Sequence, residues 1–178
     1  MTSDENLLVA FRAGARDAFD ELFERHRERI WRFFRRRVPD PAGAEELTQE
    51  TFLAVLQAAD RYEPRASFRS YLFGIAFNLL AAARRQSSRE TVDGVAVGDP
   101  AAPAFDPIAT LWVRQALASL EPADREILML REYEQLSYDD IGALLGLPSG
   151  TVRSRLFRAR LALKTELQPP DAAKEVRR

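Results

Sequence analysis

Apolar residues return every three or four positions in two long blocks of this 178-residue chain, residues 6–89 and 108–167. That spacing puts them on one face of an α-helix, whereas a half-buried strand would alternate apolar and polar residues. Turn residues interrupt the first block at Gly14, at residues 39–41 and at residues 63–64. The interruptions predict helices at residues 5–12, 16–38, 42–59 and 67–88. Shorter helical runs fill the second block, so the predicted fold class is all-α.

The two helical blocks are separated by a stretch of different composition. Residues 87–107 are rich in Gly, Ala, Pro, Asp and Val and show no amphipathic period. Such a composition is typical of a flexible linker. We therefore predict two helical domains, residues 1–88 and 108–168, joined by a linker at 89–107 and followed by a tail at 169–178.

The chain has no cysteine and only one histidine, which limits the catalytic and metal sites that it can form. The lack of cysteine excludes disulfides and thiolate nucleophiles, and a single histidine cannot build a metal cluster. That residue, His26, lies at helical spacing from Leu22 and Ile30, which predicts packing rather than function. No acid, base and nucleophile occur together in a cluster, so we expect that the chain is not an enzyme and needs no cofactor. The acidic start and the lack of a long apolar run predict a cytoplasmic chain that does not insert into a membrane.

The second domain contains a pattern typical of a helix-turn-helix, at residues 136–157. Ser137 can cap the first helix together with Asp140, in a weak form of the capping box. Gly146 suits the left-handed conformation that ends this helix, and Leu147 fills the angle between the two helices. Ser149 is predicted to cap the second helix.

The second helix of this motif has one apolar and one basic face. Val152, Leu156, Ala159 and Leu163 fall at spacings that make a buried stripe. Residues 148–164 carry five basic residues and no acid, whereas residues 121–140 carry seven acids and two arginines. A solvated face would explain a lone basic run, but the coincidence with the turn pattern indicates binding in the major groove of DNA. The predicted DNA-binding residues are Ser149, Thr151, Arg153, Ser154, Arg155, Phe157 and Arg158.

Residues 112–167 resemble the C-terminal promoter-binding region of extracytoplasmic-function (ECF) sigma factors. The resemblance rests on Leu120-Glu121-Pro122 and on the run GTVRSRLFRAR at residues 150–160. Asp140 and Gly142 stand where the family usually has glutamate and alanine, which is expected to weaken the first helix slightly. Many two-component response regulators share a similar helix-turn-helix, so this half alone leaves the function open.

Residues 44–52 form a helix with Leu47 and either Thr51 or Val55 facing inward. A solvated acidic helix would account for the charges. The run also resembles the polymerase-binding segment of the same family, and its carboxylates and amide could meet arginines of the largest polymerase subunit. The polymerase-binding residues that the resemblance implies are Glu46, Gln49, Glu50 and Phe52.

Residues 68–85 mix aromatic residues with an asparagine and end in arginines. Leu72, Ile75, Ala76 and Leu79 fit one buried stripe. The segment resembles the run with which the family captures the melted minus-ten element, although Tyr71 replaces the usual tryptophan. By that resemblance, Asn78 and the loop at residues 61–68 would hold a flipped base, while core packing stays an equal alternative for each aromatic. The implied DNA contacts are Phe68, Tyr71, Asn78, Arg84 and Arg85.

Both resemblances together span residues 5–167 in the order that the family has. They imply an RNA polymerase sigma factor, with region 2 in the first domain and region 4 in the second. Its expected partners are core RNA polymerase, promoter DNA and an anti-sigma factor. The alternatives are a sigma-like decoy, which would need degraded polymerase and DNA faces, and a conventional helix-turn-helix regulator, which would need a dimer interface or a sensor domain.

Overall fold

The computed structural model describes residues 2–62, 67–90 and 107–167. These ranges are helical and contain no strand, which confirms the all-α prediction. The chain divides into two compact units, Met1–Ala101 and Ala102–Arg178. The predicted tail and most of the predicted linker, residues 91–106, lie outside the described residues. Within these same ranges no helix has the length and hydropathy that crossing a membrane requires.

The described part of the first unit has four α-helices. They are α1 (Asp4–Arg12), α2 (Arg16–Arg35), α3 (Pro41–Ala58) and α4 (Phe68–Glu90), with a short 3-10 turn, Ala59–Arg61, after α3. Helix α2 ends at Arg35, three residues earlier than predicted, and the Arg37 side chain that follows it is buried. The Arg37 guanidinium lies 4.0 Å from the Phe33 ring centre and donates a 3.0 Å hydrogen bond to the Phe33 carbonyl oxygen.

Side-chain caps mark where α1 and α3 begin. The Ser3 hydroxyl accepts the Asn6 N–H at 3.2 Å, and the Asp40 carboxylate accepts the Gly43 N–H at 3.1 Å. Both satisfy amides that the first helical turn leaves without a partner. The proline at the first position of α3 fixes its φ angle at a value that already suits a helix.

The core of the first unit is built from aromatic and aliphatic side chains. Phe33, Phe34 and Phe73 are fully buried, and the rings of Phe33 and Phe73 meet edge to face at 5.4 Å. On α4 the buried residues are Phe68, Leu72, Phe73, Ala76 and Leu80, whereas Ile75 and Leu79 are only half-buried. The prediction of a buried stripe is therefore confirmed for Leu72 and Ala76. It is wrong for Ile75 and Leu79, because the buried face is shifted by about one residue there.

Helix α1 ties the start of the chain to both ends of the segment that precedes α4. The Arg12 guanidinium donates to the carbonyl oxygens of Asp60 and Tyr62, at 3.2 and 3.4 Å. The Glu5 carboxylate accepts the Phe68 N–H at 2.9 Å, which lowers the pKa of Glu5. Helix α1 thereby serves as a clasp across Asp60–Phe68, while residues 63–66 lie outside the described part of the chain.

His26 is buried, as its helical spacing predicts. Its Nε2 atom lies 2.7 Å from an Asp4 carboxylate oxygen, and its ring packs 5.4 Å from that of Phe68. Burial lowers the pKa of His26 even though the Asp4 contact opposes this shift. The neutral imidazole is therefore the form that suits the folded unit.

In its described part, the second unit consists of α5 (Pro107–Ala118), α6 (Pro122–Glu132), α7 (Tyr138–Leu145) and α8 (Ser149–Glu166). The capping box is present: Ser137 Oγ accepts the Asp140 N–H at 3.0 Å, and the Asp140 carboxylate accepts the Ser137 N–H at 3.1 Å. Gly146 ends α7 in the left-handed region, with φ of 66°. These contacts confirm the local prediction of a helix-turn-helix.

One predicted cap is wrong. Ser149 is already the first helical residue of α8, and no side chain caps this helix. The Pro148 carbonyl oxygen instead accepts the N–H groups of Thr151 and Val152, at 2.9 and 3.1 Å. Because the proline ring fixes φ, it places the residue before the helix in a suitable extended conformation without help from a hydroxyl.

Candidate nucleic-acid and protein interfaces

Helix α8 presents one buried and one exposed face. Val152, Leu156 and Ala159 are at most 1% exposed, which confirms the predicted stripe at these three positions, whereas Leu163 is only half-buried. On the opposite face Phe157 is 68% exposed. Phe157 therefore takes no part in the packing of α8 on the second unit, and its ring is accessible to a partner.

The first two turns of α8 combine hydroxyl groups with a cation. Ser149 and Thr151 are half-buried, whereas Arg153 and Ser154 are exposed. Ser154 donates its hydroxyl proton to the Thr151 carbonyl oxygen at 3.0 Å, which leaves its oxygen able to accept. The Arg153 guanidinium lies 5.9 Å from the Tyr138 ring centre, so α7 guides this side chain without neutralising it.

Three other arginines of α8 reach acids on α6. Arg155 and Arg158 lie 3.8 and 3.7 Å from the two carboxylate oxygens of Asp124. Arg160 donates from Nε and Nη2 to one Glu132 oxygen, at 3.1 and 2.6 Å. These contacts were missed from the sequence. The signal was the separation of acids at residues 121–140 from bases at 148–164, which indicates two oppositely charged helices in contact as well as a DNA-binding face.

A second polar face lies along α4. Asn78, Arg84 and Arg85 are exposed, and Tyr71 is half-buried with its ring 4.9 Å from that of Tyr62. Tyr71 and Asn78 are seven residues apart and so share one face of the helix, about 10 Å apart along its axis. Burial raises the pKa of Tyr71, which keeps the phenol neutral. The aromatic ring, the amide and Arg85 thus follow one side of α4, whereas Arg84 lies roughly 140° away around the helix.

Phe68 does not belong to this surface, which corrects the prediction that it contacts DNA. Its side chain is fully buried and packs 6.5 Å from the Tyr62 ring and 5.4 Å from the His26 ring. At the first position of α4, the ring points into the space closed by α1 and α2. No ring face is left on which a base could stack.

Helix α3 turns Glu46, Gln49 and Glu50 to solvent. Its opposite side buries Leu47, Thr51 and Val55, as predicted, with both threonines of the segment bonded to their own helix. The Thr48 and Thr51 hydroxyls each donate to the carbonyl oxygen four residues earlier, at 2.7 Å. The two threonines thus satisfy their hydroxyl groups within α3, and Glu46, Gln49 and Glu50 remain exposed to solvent.

Phe52, predicted to contact a partner, lies in the core instead. It is 3% exposed, and its ring meets those of Phe23 at 4.8 Å and Phe19 at 6.4 Å. An aromatic cluster of this size stabilises the packing of α2 on α3. Phe52 supports the exposed face of α3 from the inside and offers no surface of its own.

A groove of about 460 Å³ lies between α2 and α3, beside Gln49. Phe23, Trp31 and Thr48 line it, together with three carboxylates and one guanidinium. The charged lining residues are Glu24, Glu28, Glu45 and Arg27. The sequence predicted only the α3 side of this surface. The spacing of residues along α2 does not show which other helix α2 packs against.

The arginines at residues 25–37 were left open as a solvated face or a path for DNA. Arg25 binds the Asp4 carboxylate at 2.8 Å and also contacts Glu21, and Arg32 lies 2.5 Å from Glu28. Arg25 and Arg32, two of the seven arginines in this stretch, are thus paired with acids of the same unit. Neither needs a nucleic-acid partner to balance its charge.

Comparison with known proteins places both units in one family. The sigma-70 region 2 model matches residues 22–90, and the sigma-70 region 4 model matches residues 110–163. The RNA polymerase sigma factor CarQ of Myxococcus xanthus is 40% identical over 155 residues, which cover 83% of this chain and 88% of CarQ. The ECF RNA polymerase sigma factor SigC of Mycobacterium tuberculosis is 35% identical over 161 residues, covering 86% of this chain and 85% of SigC.

A solved structure is similar in fold. It holds the sigma factor RpoE in complex with the anti-sigma factor NepR from Bartonella quintana. The match has a TM-score of 0.62 and 25% identity, and it covers 84% of this chain and 96% of RpoE.

Proposed function

Since the chain belongs to the ECF sigma factors of the sigma-70 family, and is thus an RNA polymerase sigma factor, we propose that its two units divide promoter recognition between them. Residues 1–88 act as region 2, which binds core polymerase and captures the melted minus-ten element. Residues 108–168 act as region 4, which reads the minus-thirty-five element as duplex. The observation that carries this division is the presence of two separate polar faces, one on α4 and one on α8.

The polymerase contact is assigned to the exposed face of α3. Glu46, Gln49 and Glu50 lie on it, and the acidic groove between α2 and α3 extends it beside Gln49. Carboxylates and amides pair well with arginines, and their complementary charge fixes orientation more than it adds raw affinity. The partner surface is therefore expected to be basic.

The face of α4 is assigned to single-stranded DNA. Tyr71 offers the exposed part of its half-buried side chain for stacking, Asn78 offers an amide for one unpaired base, and Arg84 and Arg85 meet the sugar-phosphate backbone. Stacking on an aromatic side chain contributes about 1–3 kcal/mol per base, which helps to offset the cost of separating the strands. Phe68 has no part in this contact, since it is buried.

The face of α8 is assigned to duplex DNA. Arg153 and Ser154 in its second turn are placed to meet base edges, with Ser149 and Thr151 in the turn before them. Phe157 provides an apolar contact, such as a thymine methyl group favours, and Arg155 and Arg158 meet phosphates. A bidentate base contact is worth about 1–3 kcal/mol of discrimination, whereas a phosphate contact strengthens binding to all sequences alike.

The sigma factor itself carries no reaction in this proposal, because RNA synthesis belongs to the polymerase. Its work is then done in the cytoplasm, where the bacterial polymerase meets DNA. An anti-sigma factor is a further expected partner, since the related RpoE is held by one, NepR. That partner would compete with polymerase or DNA for the faces described above.

The division of labour can be tested with two DNA probes and core polymerase. One probe is a single-stranded nontemplate oligonucleotide of the minus-ten element, and the other is duplex carrying the minus-thirty-five element alone. Asn78→Ala should weaken binding to the first probe only, and Arg153→Ala binding to the second only. Equal losses on both probes for each variant would contradict the assignment of the two faces.

Run-off transcription with the protein alone, core alone and both together separates the alternatives. A transcript should require both components. A decoy would bind neither probe in the presence of core. A conventional regulator would bind duplex tightly and specifically by itself and yield no transcript when core is added.

A further inference from the structure

We propose that Asp124 is a positioning residue for promoter recognition, which competes with DNA phosphates for Arg155 and Arg158 and so limits binding to nonspecific DNA. The inference rests on the proposed DNA-binding role of α8. Asp124 lies in the first turn of α6, and each of its carboxylate oxygens faces a different arginine, at 3.8 Å for Arg155 and 3.7 Å for Arg158. One acid therefore restrains two of the basic residues on the DNA-binding face.

The exposures of the three side chains show which of them is able to move. The Asp124 side chain is 14% exposed, whereas those of Arg155 and Arg158 are 32% and 65% exposed. The carboxylate is held at the junction of α6 and α8, and the guanidinium groups have room to leave it. Separations above 3.5 Å are ion pairs rather than tight hydrogen bonds, so a phosphate could replace the carboxylate.

The other arginines of α8 are held differently, which gives the proposal an internal comparison. Arg160 donates two short hydrogen bonds to Glu132, at 3.1 and 2.6 Å. Arg153 lies over the Tyr138 ring, which leaves its charge in place. Asp124 thus restrains Arg155 and Arg158, which are assigned to phosphates. It does not restrain Arg153, which is assigned to base edges.

This arrangement has a measurable consequence for the salt dependence of DNA binding. Each phosphate neutralised by a lysine or arginine releases counterions and steepens the dependence of log K on log salt by about 0.9. An arginine that must leave Asp124 before it meets a phosphate binds any duplex more weakly. Because a phosphate contact contributes to binding of every sequence alike, Asp124 lowers the affinity of α8 for any duplex and limits the amount bound to nonspecific DNA.

The test compares two full-length variants that remove one negative charge each. Asp124→Asn frees Arg155 and Arg158, and Glu132→Gln frees Arg160 on the same pair of helices. Binding to a labelled random-sequence duplex is measured by fluorescence anisotropy from low to moderate NaCl. We expect Asp124→Asn to raise affinity and to steepen the slope by about 1–2, from the release of one or two arginines. Glu132→Gln should change the slope by less than half as much.

A second measurement reads sequence preference directly. A randomised duplex pool is selected with each variant bound to core polymerase. Asp124→Asn should keep the parental preference at the upstream element, because it frees arginines assigned to phosphates and none assigned to base edges. A parental salt slope for Asp124→Asn, or a changed base preference in that variant, would overturn the proposal.

Two further variants separate failure of this proposal from failure of the DNA-binding assignment. If Arg155→Ala and Arg158→Ala weaken duplex binding by the holoenzyme but Asp124→Asn has no effect, only the role of Asp124 is wrong. If neither arginine variant changes binding, α8 does not present these residues to DNA. Should Asp124→Asn lose helicity by circular dichroism, Asp124→Ser removes the same charge with a residue suited to the first helical turn, and a parental slope in that variant would equally overturn the proposal.

Discussion

Replacing Gly142 with alanine should destabilise the second unit, although alanine is the better helix former. A Cβ atom at this position would lie 2.6 Å from the Leu147 carbonyl oxygen. The closest ordinary C···O contacts are about 3.3 Å, so the shortfall is roughly 0.7 Å. Two amides hold the loop in place, since Gly146 and Leu147 both donate to the Gly142 carbonyl oxygen, the latter at 2.8 Å. The sequence-based expectation that Gly142 only weakens α7 overlooks this contact.

The size of the effect follows from two opposing contributions. Overpacking costs about 1–3 kcal/mol, and a clash with backbone between two helices belongs near the upper end. The intrinsic preference of alanine over glycine in a helix returns about 1 kcal/mol. The net loss in the free energy of unfolding is therefore about 1–2 kcal/mol. Gly150→Ala is a matched control, because a Cβ atom there would contact nothing within 4 Å.

Amide hydrogen exchange of the full-length protein measures the second unit without interference from the first. Peptides from α7 and α8 should exchange about 5–30 times faster in Gly142→Ala than in the parent, as a loss of 1–2 kcal/mol requires. Gly150→Ala should exchange at the parental rate or more slowly. If Gly142→Ala proves as well protected as Gly150→Ala, the close approach of the Leu147 carbonyl does not constrain this turn.

Three further predictions concern the first unit. The double variant Gln49→Ala with Glu50→Ala should keep its stability within about 0.5 kcal/mol per site and lose affinity for core polymerase, and parental recovery in a pull-down would contradict the docking assignment. Phe52→Ala should lower the free energy of unfolding by about 3–5 kcal/mol, and a loss below 1 kcal/mol in urea unfolding would place the ring outside the core. Because burial lowers the pKa of His26 in the folded state, the unfolded chain takes up its proton first, and stability should fall as the pH drops below about 6.5. Higher stability at pH 5 than at pH 7 would contradict the buried, neutral imidazole.

Sequence reasoning succeeded where the determinants are local. The capping box at Ser137 and the left-handed Gly146 depend on residues within one turn, and the period of the apolar residues gave the helix bounds to within three residues. It failed at Phe52 and Phe68, where a family-like motif mixes core and surface residues. Period alone cannot separate them, because a ring at the edge of a stripe is buried only if a neighbouring helix covers it.

Contacts between distant segments were beyond the reach of the sequence. The Asp124 pairing needs α6 to lie against α8, and the acidic groove needs α2 to lie beside Gln49. Charge segregation indicated that such contacts exist without showing which residues make them. In each site, the residues that could not be predicted are therefore those that a second helix contributes.

The clasp formed by α1 also sets an order of events during protein synthesis. Arg12 and Glu5 find their partners at Asp60, Tyr62 and Phe68, which are 48 to 63 residues further along the chain. A growing polypeptide cannot close these contacts until α2 and α3 have left the ribosome. Helix α1 can meet α2 earlier, through the contacts of Asp4 with Arg25 and His26. The clasp itself closes only after Phe68 has been made, so the segment from Asp60 to Phe68 is the last part of the first unit that α1 can secure.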